Sequence, residues 1–239
     1  MESARRIIVA LDVETADEAR SVVRELKDEV GAFKVGLQLF TVAGPEFVRE
    51  IAADHRIFLD LKFHDIPHTV AKAGIEAARL GVWMFNMHAM GGSEMMQTAV
   101  NEVGEVCDKE GFDRPLIIGV TILTSSDANT LRQIGIETGI ATQVSRLAQL
   151  AKGSGLDGVV ASPMEVAAIR ATTGGSEFLV VTPGVRPEFA TVDDQKRVMA
   201  PREALLEGAD YLVIGRPILN APDRSLALRR IYEEIDTAR

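Results

Sequence analysis

The chain has 239 residues, of which 46% are hydrophobic, so it is long enough to bury a full core and fits one barrel-sized domain. Its formal net charge of −9 argues against general affinity for nucleic acid or anionic membranes, although a local basic pocket is not excluded. Cys107 is the only cysteine, which excludes an intrachain disulfide, and no apolar run approaches membrane-spanning length. We therefore expect a compact cytoplasmic protein.

Eight short apolar runs rich in Val, Ile and Leu recur along the chain, with amphipathic segments between them. This alternation is typical of βα units around a parallel sheet, and eight is the number that closes a (β/α)8 barrel. The runs begin near Ile7, Phe33, Ile57, Val82, Leu116, Gly158, Phe178 and Tyr211. Because no linker or change in composition divides the chain, we predict a single-domain α/β TIM barrel over residues 1–239, with a doubly wound open sheet as the alternative.

Three of the intervening segments carry clear helix boundaries. The first, residues 15–28, begins with a Thr-x-x-Glu capping box, and the second, residues 67–80, begins with a proline. The third, residues 201–207, also begins with a proline and ends at Gly208. These boundaries predict helices between the strands.

The third apolar run leads into the segment Asp-Leu-Lys-Phe-His-Asp-Ile-Pro at residues 60–67. Strand side chains alternate between the two faces of a sheet, so Asp60 and Lys62 are expected to share a face. Asp65 follows in the turn, where it either folds back onto Lys62 or points outward. An ion pair at a strand end is the structural alternative to a catalytic role.

Polar groups also close most of the other apolar runs. The reactive residues of a (β/α)8 barrel come from the C-terminal ends of its strands, and burying so many charges without function would be costly. The polar strand-end residues are Asp12, Lys34, Asp60, Lys62, Asn86, His88, Thr124 and Arg216.

A phosphate site is predicted after the last two strands. Gly215 lets the backbone approach an anion, and Arg216 supplies a planar fork of donors. The long irregular stretch at residues 183–198 contains Arg186 and Gln195, and loops of this length are usually lids or binding loops. The alternatives are a surface salt bridge for Arg216 and a solvated loop.

The histidines do not favour a metal site. His64 and His68 have i, i+4 spacing, but Pro67 lies between them and His64 is expected to precede the helix. A lone histidine such as His88 more often orients its neighbours through hydrogen bonds. The sequence also contains no dinucleotide-binding or P-loop motif.

The strand-end motifs, taken together, resemble those of the orotidine 5′-phosphate decarboxylase family from Asp12 to Arg216. The motifs that carry the resemblance are Ala10-Leu11-Asp12, Lys34-Val35-Gly36, the residues 60–67 segment, Val120-Thr121-Ile122-Leu123-Thr124-Ser125, Thr182-Pro183-Gly184-Val185-Arg186 and Val213-Ile214-Gly215-Arg216-Pro217. The family implies loss of CO2 from orotidine monophosphate to give UMP, the last step of de novo pyrimidine nucleotide biosynthesis. It also implies that no metal or organic cofactor takes part, and that a homodimer shares its two active sites.

The resemblance assigns roles residue by residue. Lys62 would protonate C6 of the pyrimidine and Asp60 would sit beside the departing carboxylate. The residues that would cross from the partner subunit are Asp65, Ile66 and Thr69. Asp12 and Lys34 would bind the ribose hydroxyls, and Thr124 would face the base. The residues that would hold the phosphate or close over it are Arg186, Gln195, Gly215 and Arg216.

Three other functions are alternatives to this one. Magnesium-dependent sugar-phosphate decarboxylases and synthases of the same barrel group share Asp-x-Lys-x-x-Asp but typically carry an acid where this chain has Lys34. A Schiff-base aldolase needs a neutral lysine, whereas Lys62 stands between acids. A non-catalytic phosphate-ligand binding barrel would have no reason to keep the two acids and the lysine together.

Overall fold

The computed structural model describes residues 3–175, 177–190 and 199–237. Eight parallel strands close into a barrel, in which each strand pairs with the next in chain order and the last pairs with the first. The strands are β1 Ile7–Ala10, β2 Ala32–Gly36, β3 Ile57–Phe63, β4 Met84–His88, β5 Leu116–Val120, β6 Gly158–Val160, β7 Leu179–Pro183 and β8 Tyr211–Ile214. Each begins within two residues of a predicted apolar run. The (β/α)8 prediction is confirmed, and the open-sheet alternative is wrong.

Helices connect the strands around the outside of the barrel. They are α1 Ala16–Leu26, α2 Leu37–Ala52, α3 Pro67–Arg79, α4 Gly92–Glu110, α5 Ala128–Gln133, α6 Ile140–Gly153, α7 Val166–Thr173, α8 Pro201–Leu206, α9 Arg216–Leu219 and α10 Arg224–Asp236. The predicted boundaries hold to within two residues, and the Thr15 hydroxyl caps α1 by accepting a hydrogen bond from the Glu18 N–H. In the described ranges, no helix combines the length and the apolar character that crossing a bilayer requires.

The strands bury both of their faces, which explains why they read as continuous apolar runs. Their outer faces pack against the helices in one large hydrophobic cluster. Their inner faces form a smaller cluster in the barrel interior, made of Ile8, Ala10, Ala32, Phe58, Met84, Ile118, Val181 and Val213. The interior is therefore a packed core rather than a pore.

The inner face changes character toward the C-terminal ends of the strands. Because side chains alternate, the next inward position lies two residues beyond each apolar one. On five strands that next position is polar or glycine: Asp12, Lys34, Asp60, Asn86 and Gly215. The barrel thus has an apolar floor and a polar upper layer.

Candidate active site

A cavity of about 270 Å³ lies above this floor, at the C-terminal ends of the strands. Its polar lining comes from the loops and ends of strands β1, β2, β3, β5, β7 and β8. These lining residues are Asp12, Lys34, Asp60, Lys62, Thr124, Arg186, Gly215 and Arg216. Eight of the residues that the sequence predicted for the site therefore lie around one cavity.

Four of these side chains form a row of alternating charge along one wall. Lys34 Nζ lies 3.0 Å from Asp12 Oδ1 and 3.4 Å from Asp60 Oδ2. Lys62 Nζ donates to Asp60 Oδ1 at 2.7 Å. Exposure differs along the row, since the side chain of Asp12 is 55% exposed while those of Asp60 and Lys62 are 13% and 29% exposed. The row places two cations and two carboxylates within direct contact of one another.

Lys34 is the most deeply buried cation of the row. Burial alone would lower the pKa of its ammonium group, but the negative charges of Asp60 and Asp12 and the hydrogen bonds to them outweigh that effect and raise the pKa. Lys34 therefore stays charged, and it holds both carboxylates in place.

The backbone of β3 is irregular where it presents Lys62. Between the pairs Leu59–Phe85 and Phe63–Met87, three residues of β3 face only one residue of β4. Lys62 has φ of 54°, the only positive φ of a residue other than glycine in the described part of the chain. The left-handed region is unfavourable for side chains of this kind, so the surrounding structure must hold it there. Simple alternation predicted that Asp60 and Lys62 share a face but not this backbone.

Asn86 is the one residue of β4 that faces the bulge, and its side chain is fully buried. Its Oδ1 accepts from the Lys62 N–H at 2.7 Å, and its Nδ2 donates to Asp60 Oδ1, also at 2.7 Å. The sequence placed Asn86 among the polar strand ends but assigned it no role. The available signal was a polar amide between the apolar residues Phe85 and Met87 of the fourth apolar run.

The basic side of the cavity follows β7 and β8. Arg186 and Arg216 both line it, beside Gly184 and Gly215. Nη1 of Arg186 is buried and has no hydrogen-bond partner within the described residues, which is costly unless an anion binds there. A Cβ at Gly215 would lie 3.3 Å from the Ala10 Cβ, so even an alanine would crowd this wall.

Three predicted residues do not line the cavity of their own chain. Asp65, Ile66 and Thr69 are exposed, and the Asp65 carboxylate accepts a hydrogen bond from the Ile66 N–H at 2.7 Å. Asp65 therefore points outward rather than folding back onto Lys62. Gln195, together with the end of the predicted lid, lies outside the described residues.

Two histidines lie beside the bulge. The rings of His64 and His88 are 5.4 Å apart, and His88 is half-buried. Burial lowers the pKa of His88, and the nearby His64 and Lys62 lower it further, against the opposing charge of Asp60. His68 lies away from them, near Glu102. Within the described ranges, no group of three or more His, Cys, Asp or Glu side chains is arranged to hold a metal ion.

The fold and the cavity together define a (β/α)8-barrel enzyme whose ionic site lies at the C-terminal ends of the strands. Residues 5–231 match the model of the orotidine 5′-phosphate decarboxylase / HUMPS family. The chain belongs to this family.

Curated relatives cover the whole chain. The chain is 54% identical to the orotidine 5′-phosphate decarboxylase of Syntrophotalea carbinolica, over 100% of this chain and 98% of that protein. It is also 54% identical to the enzyme of the same name from Geobacter sulfurreducens, over 98% of this chain and 97% of the relative.

Solved structures agree with these relatives. The orotidine 5′-phosphate decarboxylase of Lactobacillus acidophilus superposes with a TM-score of 0.83 at 36% identity, over 97% of this chain and 99% of the other. An uncharacterized conserved protein from Geobacillus kaustophilus superposes with a TM-score of 0.82, also at 36% identity, over 96% of this chain and all of the other. The family and the barrel are thus supported by sequence and by structure.

Proposed function

We propose that this enzyme decarboxylates orotidine 5′-phosphate to UMP, and that Lys62 supplies the proton. The observation that carries the proposal is the row of alternating charge on the cavity wall, in a chain that is 54% identical to a protein of that name. The whole chain, residues 1–239, acts as one catalytic domain, in the cytoplasm.

The reaction requires positive charge and a proton donor at one carbon. When the bond between C6 and the carboxylate breaks, the electron pair stays on C6, because the ring offers no electron sink for it. The Lys62 ammonium stabilises this developing carbanion and transfers a proton to C6, which yields UMP. The lysine then regains a proton from solvent. Its ammonium donates a hydrogen bond to Asp60 Oδ1 at 2.7 Å, which fixes its position on the cavity wall.

Asp60 has two roles in this scheme. One of its carboxylate oxygens contacts the Lys62 ammonium and the other contacts the Lys34 ammonium. These charges are therefore preorganised before the substrate arrives. It also lies beside the departing carboxylate, where repulsion between like charges disfavours the ground state. Lys34 and Asp12 bind the ribose hydroxyls, and Thr124 faces the base.

The basic side of the cavity holds the phosphate. Arg186 and Arg216 supply the donors, and the backbone at Gly215 approaches the anion closely. The buried Nη1 of Arg186 gains in the complex the partner that it lacks among the described residues. Gln195 is assigned to the same phosphate by the resemblance alone.

The active sites are completed across a homodimer. Asp65, Ile66 and Thr69 reach the cavity of the partner subunit in this proposal, which accounts for their exposure on their own chain. Exposed apolar side chains that follow three neighbouring strands support an interface on this side of the barrel: Leu37 after β2, Ile66 after β3 and Met90 after β4.

The decisive experiment follows the loss of orotidine 5′-phosphate absorbance with purified protein in EDTA. We expect rapid turnover by the wild type and a loss of about 10³-fold or more in Lys62→Ala, because a positioned acid typically contributes about 10²–10⁴-fold. Lys109→Ala, an exposed lysine at the end of α4, is the matched control and should turn over normally.

Each other outcome has a distinct meaning. Substantial activity in Lys62→Ala would remove Lys62 from the proton-transfer step. Absence of turnover by the wild type in EDTA, with activity on sugar phosphates after magnesium is added, would favour the other branch of the family.

A further inference from the structure

Asn86 occupies a position where the regular hydrogen-bond ladder between β3 and β4 fails. Three residues of β3 face this one residue of β4, so the Lys62 N–H has no place in the ladder. The Asn86 Oδ1 takes that N–H at 2.7 Å. The side chain thus supplies the acceptor that the neighbouring strand does not, and a buried N–H without one would be costly.

The same amide also fixes the carboxylate. Its Nδ2 donates to the Asp60 oxygen that Lys62 Nζ contacts, so this oxygen accepts from two donors. The backbone and the ammonium of Lys62 are therefore tied to one another through the two side chains of Asn86 and Asp60. Both of these side chains are held in fixed positions, since Asn86 is fully buried and Asp60 is 13% exposed.

The geometry points to Asn86 as the residue that positions Lys62 for catalysis. Its amide holds Lys62 in the left-handed conformation with φ of 54° and thereby directs the ammonium into the cavity. Asn86 itself does not line the cavity and contacts no reacting atom. This inference rests on the proposed function, because it concerns the lysine that is assigned the proton transfer.

Asn86→Ala removes both hydrogen bonds. We expect kcat to fall about 100-fold, the effect that a displacement of about 1 Å has on a reacting group. KM should change little, because Arg186 and Arg216, the arginines assigned to the phosphate, are unchanged. The matched control is Met84→Ala, a fully buried position at the other end of β4 that lies in the barrel floor. It lowers stability but leaves the two hydrogen bonds of Asn86 in place, so kcat of the folded enzyme should stay near the wild-type value.

The substitution Asn86→Asp distinguishes a role of Asn86 in positioning Lys62 from a role in packing alone. The new carboxylate has the same shape and can still accept from the Lys62 N–H, but its second oxygen faces Asp60 and can donate only when it is protonated. Burial and the adjacent Asp60 raise the pKa of this new acid, against the opposing charges of Lys62 and Lys34. The ratio of variant to wild-type kcat should therefore rise as the pH falls. A purely structural role predicts a ratio that does not change with pH.

Amide hydrogen exchange at Lys62 provides a readout that does not require turnover. We expect exchange to be faster in Asn86→Ala than in the wild type, while amides in β6 stay protected. If wild-type protein leaves orotidine 5′-phosphate unchanged, the proposed function fails, and the exchange data still decide whether Asn86 holds the bulge. If wild type turns over but Asn86→Ala keeps its kcat, or loses no more than Met84→Ala does, the positioning role is overturned.

Discussion

Arg216 lines the cavity after β8 and is not part of the charged row that ends at Lys62. If binding energy from the phosphate is used to assemble the site, its loss must affect rate as well as affinity. We expect Arg216→Ala to lower kcat/KM about 10–100-fold, the range that corresponds to a charged hydrogen bond of about 1.5–3 kcal/mol. Steady-state kinetics with orotidine 5′-phosphate measure this loss. Arg146→Ala, an exposed arginine on α6, is the control, and equal kinetics in the two variants would place the phosphate elsewhere.

His88 makes stability depend on pH. Its pKa lies below the ordinary 6.5, first because of burial and then because of His64 and Lys62. At pH values between the pKa of His88 in the folded state and its pKa in the unfolded state, the unfolded chain binds more protons than the folded one. The free energy of unfolding therefore rises with pH in this window. The contribution of neutral His88 to the free energy of unfolding is complete above pH 6.5 and is lost as the pH falls through the pKa of the folded state.

Replacing His88 should remove this dependence. We expect the urea midpoint of His88→Gln to fall less between pH 7 and pH 5 than that of the wild type, at one fixed protein concentration. His68→Gln changes an exposed histidine and serves as the control. Identical pH dependence in wild type and His88→Gln would contradict the argument.

At the scale of single elements, β3 shows how far sequence reasoning reaches. The apolar run, the strand boundaries and the shared face of Asp60 and Lys62 all follow from local patterns. The bulge does not, because it depends on how many residues of β3 pair with β4. Neither does the pair of hydrogen bonds made by Asn86, whose partners lie 24 and 26 positions away along the chain. Local periodicity identifies the polar positions, and only the assembled sheet shows what holds them.

The pairing of β6 with β7 depends on a close backbone approach. A Cβ on Gly158 would clash with the carbonyl oxygen of Leu179 on the neighbouring strand, and backbone cannot move aside as a side chain can. We expect Gly158→Ala to lower the free energy of unfolding by about 2 kcal/mol or more, toward the upper part of the range for overpacking.

A second glycine provides the matched comparison. Gly153 ends α6, is exposed, and has nothing within 4 Å of an added Cβ. Gly153→Ala should therefore raise the free energy of unfolding by up to about 1 kcal/mol, since alanine is the better helix former. Urea denaturation of both variants measures the difference, and a Gly158→Ala protein as stable as the wild type would show that the strands can separate without loss.

At the scale of the whole molecule, the proposed homodimer implies that a single chain carries an incomplete site. The row of charge ends at Lys62 on the cavity wall, while Asp65 lies beyond the strand, exposed and turned away from that cavity. The sequence could not decide where Asp65 acts, because in the proposed homodimer its position depends on a second chain. The exposed Ile66, at 68% of its full accessibility, lies in the same turn. A partner subunit would cover this apolar surface and deliver the third acid to the neighbouring lysine.

Mixed dimers test this arrangement directly. Lys62→Ala and Asp65→Ala should each be inactive as homodimers. A heterodimer of the two, purified through a different tag on each chain, has one site that carries both defects and one that carries neither. We expect it to regain about half of the wild-type activity, since a two-fold dimer has two equivalent sites. The control heterodimer pairs Lys62→Ala with Asp60→Ala, which lie in the cavity of one chain, so no intact site forms and it should stay inactive. If the first heterodimer is as inactive as the control, Asp65 acts within its own subunit and the shared-site proposal is wrong.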